Sequence, residues 1–229
     1  MPEEMNKIKF NELYKPEYGR REALNSLRTN LQFSGVNLKT FLITSCGPDE
    51  GKSTVSFDIA RSMAETGKRV VLVDADIRKS VMISRHKIER LTRRIGGLSQ
   101  YLTGIAEAED IICETNIENF YTIMSGPVAP NPTEILNGDR FEDLMEKLRD
   151  EFDVVIIDSP PLGSVIDAAI MAPKCDGVII VMASGEVSKR IALDVKKQLE
   201  VSGCRILGVV LNKVKMEKGQ YSKYYGEYK

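Results

Sequence analysis

KTFLITS (39–45), RVVLVDAD (69–76), DVVIIDSPP (153–161), DGVIIVMAS (176–184) and CRILGVVLN (204–212) are strand-length apolar runs rich in Val and Ile. None alternates apolar with polar, the mark of a strand with one wet face, so each is expected to be buried on both faces, as in a parallel sheet. FYTIMSG (120–126) is a sixth candidate. Between these runs the apolar positions take helical spacing. KSTVSFDIARSMAETG (52–67) reads as an amphipathic helix closing on Gly67, and DRFEDLMEKLRDEF (139–152) and VSKRIALDVKKQLEVSG (187–203) read the same way. RREALNSLRTNLQF (20–33) predicts a further helix ahead of the first strand. Strands alternating with helices predict an α/β fold built on a doubly wound, mostly parallel sheet. Ligands of such sheets bind beyond the C-terminal ends of the strands, which is where the unusual residues fall.

Composition narrows the class without choosing the chemistry. A chain of 229 residues suits one large α/β domain. Its net charge of −1 gives no ground for a nucleic-acid or anionic-membrane partner. Four cysteines without a CxxC pairing and a single histidine, His86, argue against a zinc site and against a disulfide framework. MPEEMNKIKF (1–10) lacks the apolar core of a signal peptide, and no apolar run approaches the roughly 18 residues of a spanning helix. A reduced, cytosolic protein is the expectation. RHKIERLTRR (85–94) has two readings, a solvated surface or a contact for an anion or acidic partner; SGPVAPNPTE (125–134) predicts a loop.

TSCGPDEGKST follows a predicted strand and opens a predicted helix. A loop of backbone N–H groups there, with a helix N-terminus behind it, is a cradle for phosphates. Gly47, Pro48, Asp49, Glu50, Gly51, Lys52, Ser53 and Thr54 are therefore the expected ATP site. Gly51 gives close backbone approach, Lys52 reaches the terminal phosphates and the Ser53 hydroxyl suits Mg²⁺. Counted back from Gly51, the usual first glycine is Cys46. Two apolar strands end in carboxylates, Asp74 and Asp76 in one and Asp158 in the other. One aspartate at a strand end is explained as a helix cap. Three call for a cation, and Mg²⁺ takes oxygen ligands.

The chain finishes YSKYYGEYK, with Tyr221, Tyr224, Tyr225 and Tyr228 in its last nine residues. P-loop, DAD pair, IIDSPP and tyrosine cluster, in that order, together resemble the bacterial protein-tyrosine kinases of capsular and exopolysaccharide synthesis, of the cytoplasmic type. NPTEIL, DSPPLGSVIDA and ILGVVLN are similar to that family's segments too. The resemblance implies a P-loop NTPase architecture shared with the ATPases that position division machinery or segregate DNA. It implies phosphate binding by Lys52, a proton-accepting Asp74, and Mg²⁺ held by Ser53, Asp76 and Asp158. It also implies autophosphorylation of the four tail tyrosines, in trans within an oligomer. Asn212, ending a strand at the ligand edge, is a candidate contact to the base, and Arg78 and Lys79 either stabilise transferring phosphate or are surface charges. From Asn212 to Tyr221 an extended chain spans at most about 30 Å, enough to reach an active site.

Three segments follow: 1–35 as an N-terminal helical, oligomerising part, 36–213 as the kinase core and 214–229 as a flexible tyrosine tail. The family's oligomerising helix carries Glu, Arg and Arg at three-residue spacing; here these are Glu22, Asn25 and Arg28, so the middle arginine is replaced. Asp49 stands where relatives often have glycine. Implied partners are further copies of the chain, in a ring where Asn25 permits it, a membrane-spanning activator that recruits the protein to the inner face of the membrane, and a phosphotyrosine phosphatase. The competing reading is a non-kinase ATP switch on the same fold. Such switches carry an additional lysine at the position of Gly47, and its absence, with the tail, favours the kinase.

Overall fold

The computed structural model describes residues 5–35, 37–92 and 95–214. Its strands are β1 (Asn6–Phe10), β2 (Thr40–Ser45), β3 (Val70–Asp74), β4 (Ile88–Arg90), β5 (Ile112–Glu114), β6 (Phe120–Ile123), β7 (Val154–Asp158), β8 (Gly177–Ala183) and β9 (Ile206–Asn212). Its helices are α1 (Tyr18–Phe33), α2 (Lys52–Ala64), α3 (Met82–His86), α4 (Leu98–Leu102), α5 (Ala108–Ile111), α6 (Pro132–Asn137), α7 (Asp139–Glu151), α8 (Asp167–Met171) and α9 (Lys189–Val201). One sheet runs in the order β4-β1-β5-β6-β3-β7-β2-β8-β9. From β6 to β9 every neighbouring pair is parallel. Beyond β6 the direction reverses: β5 is antiparallel to β6, β1 parallel to β5 and β4 antiparallel to β1.

The unbroken apolar runs are explained by helices on both faces. Val71, Val73, Val155 and Ile157 pack with Leu98 of α4, Phe141, Leu144 and Leu148 of α7 and Leu199 of α9. Val70, Leu72, Val154 and Ile156, the alternate residues of the same strands, pack with Leu31 of α1 and Phe57 and Ile59 of α2. Each such side chain contributes roughly 1.5–3 kcal/mol by leaving water, so no position in β3 or β7 is free to be polar until the strand ends. All six predicted strands and all four predicted helices form, with ends shifted by a few residues.

The N-terminal part differs from expectation. Residues 1–35 were expected as a helical segment, yet β1 precedes α1 and enters the sheet between β4 and β5. NKIKF alternates, with Ile8 and Phe10 buried and Lys7 and Lys9 exposed. The signal is period two, but over five residues with two lysines it carries little weight. Of the basic stretch, Arg85 and His86 close α3, the chain turns at Lys87 with φ 43°, and Ile88–Arg90 form the edge strand β4; Arg85, Lys87, Glu89 and Arg90 are exposed, as a solvated face requires, while His86 is buried. Charged residues on an outermost strand discourage pairing with another sheet.

Candidate active site

β2, β3 and β7 are adjacent and parallel, so their C-terminal ends open on one edge. Residues 46–51 leave β2, turn, and start α2 at Lys52. The turn requires left-handed backbone at Gly51 (φ 90°) and at Asp49 (φ 60°). At Gly51 a Cβ would lie 2.2 Å from Nδ2 of Asn212, so any side chain there would have to displace that amide. That amide donates to the Glu50 carbonyl at 2.9 Å, tying the end of β9 to the loop. Gly163 makes the opposite wall equally close, since a Cβ there would meet the Cys46 carbonyl at 2.0 Å. Glu50 is buried beneath the loop, its Oε2 without a hydrogen-bond partner among the described residues, and burial pushes its carboxyl up.

Asp49 is the one exposed non-glycine in the left-handed region of this loop. That conformation costs an L-residue on the order of 1 kcal/mol, less for Asp than for most. Its carboxylate also stands beside the phosphate cradle. Asp49→Gly is therefore expected to raise the melting temperature slightly and to tighten ADP binding severalfold, as calorimetric titration would show; weaker binding would mean that the carboxylate serves the site, and unchanged binding that it does not oppose the phosphates.

Lys52 begins α2 and reaches across the strand ends. Its Nζ lies 3.2 Å from Ser53 Oγ, 3.5 Å from Asp76 Oδ2 and 4.0 Å from Asp158 Oδ1. Asp74 and Asp158 are paired in register on β3 and β7, so two carboxylates stand side by side with one ammonium near them. Ser56 Oγ donates to Asp158 Oδ1 at 3.1 Å, and Ser80 donates to Asp74 Oδ2. Asp76 Oδ1 accepts from the Lys79 N–H at 3.0 Å. Burial, then the neighbouring Asp158 charge, pushes the Asp74 carboxyl up to about 7, against the opposing pull of the Ser80 bond and Lys52. Burial raises Asp158 as well, offset in part by Lys52, Ser53 and Ser56.

This donor set fits a magnesium ion accompanied by phosphate. Its groups are oxygens, and the clustered carboxylates exceed the positive charge available to them. Among the described residues no group of three or more His, Cys, Asp or Glu side chains could hold a metal unaided. Mg²⁺ bound with a nucleotide needs only one or two protein oxygens, and Ser53 with Asp76 or Asp158 would supply them. A cavity of about 270 Å³ is lined by Lys52, Ser53 and Asp76 together with Arg78, Lys79 and Arg85, with Asp74 and Asp158 buried beside it.

Residues 47–190 match the family described as an AAA domain. The tyrosine-protein kinase CpsD of Streptococcus pneumoniae is 46% identical over 209 residues, 90% of this chain and 91% of that protein. The chain belongs to the bacterial protein-tyrosine kinases. The solved kinase domain of the Escherichia coli tyrosine kinase ETK superposes with a TM-score of 0.77 at 31% identity, covering 86% of this kinase and 78% of that chain. The septum-site-determining protein MinD of Pyrococcus horikoshii, crystallised with Mg-ADP, shares the fold with a TM-score of 0.63 at 24% identity, covering 76% of this chain and 69% of its own. The P-loop NTPase architecture expected from sequence is thus the one found, and with it a nucleotide site.

Within the kinase, Gly47 to Thr54 form the loop and first turn, and Lys52, Asp74, Asp76 and Asp158 converge at its mouth. Asn212 is at the same edge, but its amide nitrogen is committed to the Glu50 carbonyl. Arg78 is no loose surface charge: it grips buried Asp167 through Nε (2.6 Å) and Nη2 (2.9 Å) and donates to Thr133 Oγ1 at 2.8 Å. Glu22 and Arg28 stand apart on α1. Asn25 donates to Glu22 at 3.3 Å, while Arg28 donates to the Ser62 carbonyl and hydroxyl at the end of α2. Tyr221, Tyr224, Tyr225 and Tyr228 lie outside the described residues. Sequence reasoning missed Ser56 and Ser80. Ser56 sits one helical turn after Lys52, and Ser80 six residues after Asp74, but only the folded turn brings the latter back.

No helix among the described residues is long and apolar enough to cross a membrane.

Proposed function

We propose that this kinase uses ATP with Mg²⁺ to phosphorylate the tyrosine cluster Tyr221, Tyr224, Tyr225 and Tyr228 of a neighbouring copy, and that it thereby regulates capsular or exopolysaccharide synthesis. The observation that carries the reading is Asp74: a carboxyl with its affinity for protons raised to about 7, beside the loop that would hold the transferable phosphate. A base near the working pH takes a phenolic proton more effectively than an ordinary carboxylate does. The tyrosine oxygen attacks the γ-phosphorus, the bond from that phosphorus to the β–γ bridging oxygen breaks, ADP leaves, and the phenolic proton passes to Asp74. Lys52 offsets charge on the phosphates, and Ser56 and Ser80 hold the two carboxylates in place. Ser53, Asp76 and Asp158 would bind magnesium, whose charge neutralises the phosphate oxygens. Such transfer depends on alignment and charge neutralisation.

The parallel register that brings Asn212 beside Ala183 supports tail delivery to this edge, because residues after β9 leave from the side on which the loop lies. A membrane-spanning activator, a dedicated phosphatase and a ring of copies built on α1 complete the proposal by resemblance. Intact-mass measurement and phosphopeptide mapping after incubation with Mg-ATP test it. Phosphate on the four tail tyrosines, absent in Lys52→Ala, is the expected result. An unmodified tail with ATP hydrolysed, even when an activator's cytoplasmic segment is added, would favour an ATP switch.

A further inference from the structure

The basic stretch that begins within α3 places one residue at the nucleotide site that the reaction as described does not use. Arg85 is exposed on α3, and its Nη1 donates to Thr54 Oγ1 at 2.5 Å on the first turn of α2. It lines the same cavity as Lys52 and Ser53. Of the other cations there, Lys52 is offset by Asp76 and Asp158 and Arg78 by Asp167, while the Lys79 ammonium is in no ion pair among the described residues. Arg85 has a neutral hydroxyl instead, with no carboxylate in ion-pair range among the described residues.

Its placement is firm, because the next residue is clamped. The ring of His86 is buried and stacks on Phe57 of α2 at 4.0 Å between centroids. The His86 carbonyl accepts from the N–H groups of Asn11 and Glu12 at 3.1 and 3.2 Å, and its Nδ1 is 3.3 Å from the Glu12 carbonyl. Thr54 and Phe57, three apart, share one face of α2. Two consecutive residues of α3 are therefore docked along the face that begins at the phosphate cradle. A guanidinium offers five donors in a planar fork, and one bond to a hydroxyl leaves most of them for an anion.

The geometry points to Arg85 as a nucleotide-binding residue that contacts the phosphates from the side of the first turn of α2. It adds a second protein cation to Lys52, and α3 together with the chain after β1 holds it there. The inference rests on the nucleotide site alone and does not depend on which tyrosine accepts phosphate.

Calorimetric titration of the full chain with ADP tests it without any transfer step. Arg85→Ala is expected to weaken ADP binding about tenfold, the scale of one charge-assisted hydrogen bond. Arg85→Lys should recover part of the loss, and the melting temperature without nucleotide should stay unchanged in both. Unchanged ADP affinity in Arg85→Ala overturns the inference. If that unchanged affinity comes with a lower melting temperature, Arg85 only ties α3 to α2; if it comes with a raised KM for a tyrosine peptide, Arg85 serves the acceptor. A tail that is never phosphorylated would refute the proposed function and leave this result standing.

Discussion

Asp74→Asn is expected to make the nucleotide-free kinase more stable at pH 8 while cutting phosphoryl transfer by about 10²–10⁴, the range for loss of a general base. The stability effect follows from proton linkage. Burial and the neighbouring Asp158 charge push the Asp74 carboxyl up to about 7 in the folded protein, from 3.8 when free. Below about pH 4 it is protonated in both states and contributes no difference. Between about pH 4 and 7 the unfolded chain gives up the proton while the folded one keeps it, so stability falls as pH rises. Above pH 7 the folded protein carries the full cost of the buried charge, on the order of 2–4 kcal/mol. Asparagine keeps an oxygen for the Ser80 hydroxyl and has no charge to bury. The gain in melting temperature should therefore be absent near pH 4, grow through neutrality and level off above it. Thermal melts at a series of pH values read this directly. A loss of stability at pH 8 would mean that the native site already satisfies the ionised carboxylate. In the wild type, transfer should rise with pH through the same region.

Lys52→Ala should abolish transfer to a similar extent and shift stability the other way. Removing the ammonium leaves Asp158, 3% exposed at its side chain, and Asp76 without the cation that lies 4.0 and 3.5 Å from them. Deleting one partner of a buried pair costs roughly 3 kcal/mol because the remaining charge is uncompensated. Transfer should fall by at least about 10²–10³, the usual loss for one electrostatic donor in a closed site, and ADP binding should weaken with it. The two inactive variants thus separate in a thermal melt at pH 8, one above the wild type and one below. If both fell below it, the burial of an ionised Asp74 would not be a cost to the folded kinase. Acidifying the Lys52→Ala protein should narrow its deficit, because protonating Asp158 removes the charge that Lys52 opposed.

Much of this architecture is legible along the chain because β2, β3 and β7 are sealed on both faces. A strand so buried has one written form, an apolar run, and its first carboxylate marks the edge where solvent or a cation waits. The same logic picks out Asp74 and Asp158 from sequence, and GKST directly after an apolar run picks out Lys52. What stays hidden depends on contacts distant in sequence. Asp49 looks like an ordinary charged loop residue until its φ of 60° is known. Arg78 meets Asp167 across 89 positions, and Asn212 meets Glu50 across 162. Thr54 and Arg85 belong to different segments with no shared pattern. Short β1, β4 and β5 have few residues and charged neighbours, so their period-two signals are weak.

The position of β2 at the heart of the sheet has a consequence for synthesis. Its flanking partners come late: Thr40 pairs with Val155, and Phe41 with Gly177. While the ribosome is still making the first two-thirds of the chain, the loop that should cradle ATP hangs from a strand with neither neighbour. Nucleotide can be captured only after β7 and β8 have been translated and have slotted in on either side. Fragments released early would then be blind to ATP, and ligand binding would act as a proofreading signal that the whole core has been delivered.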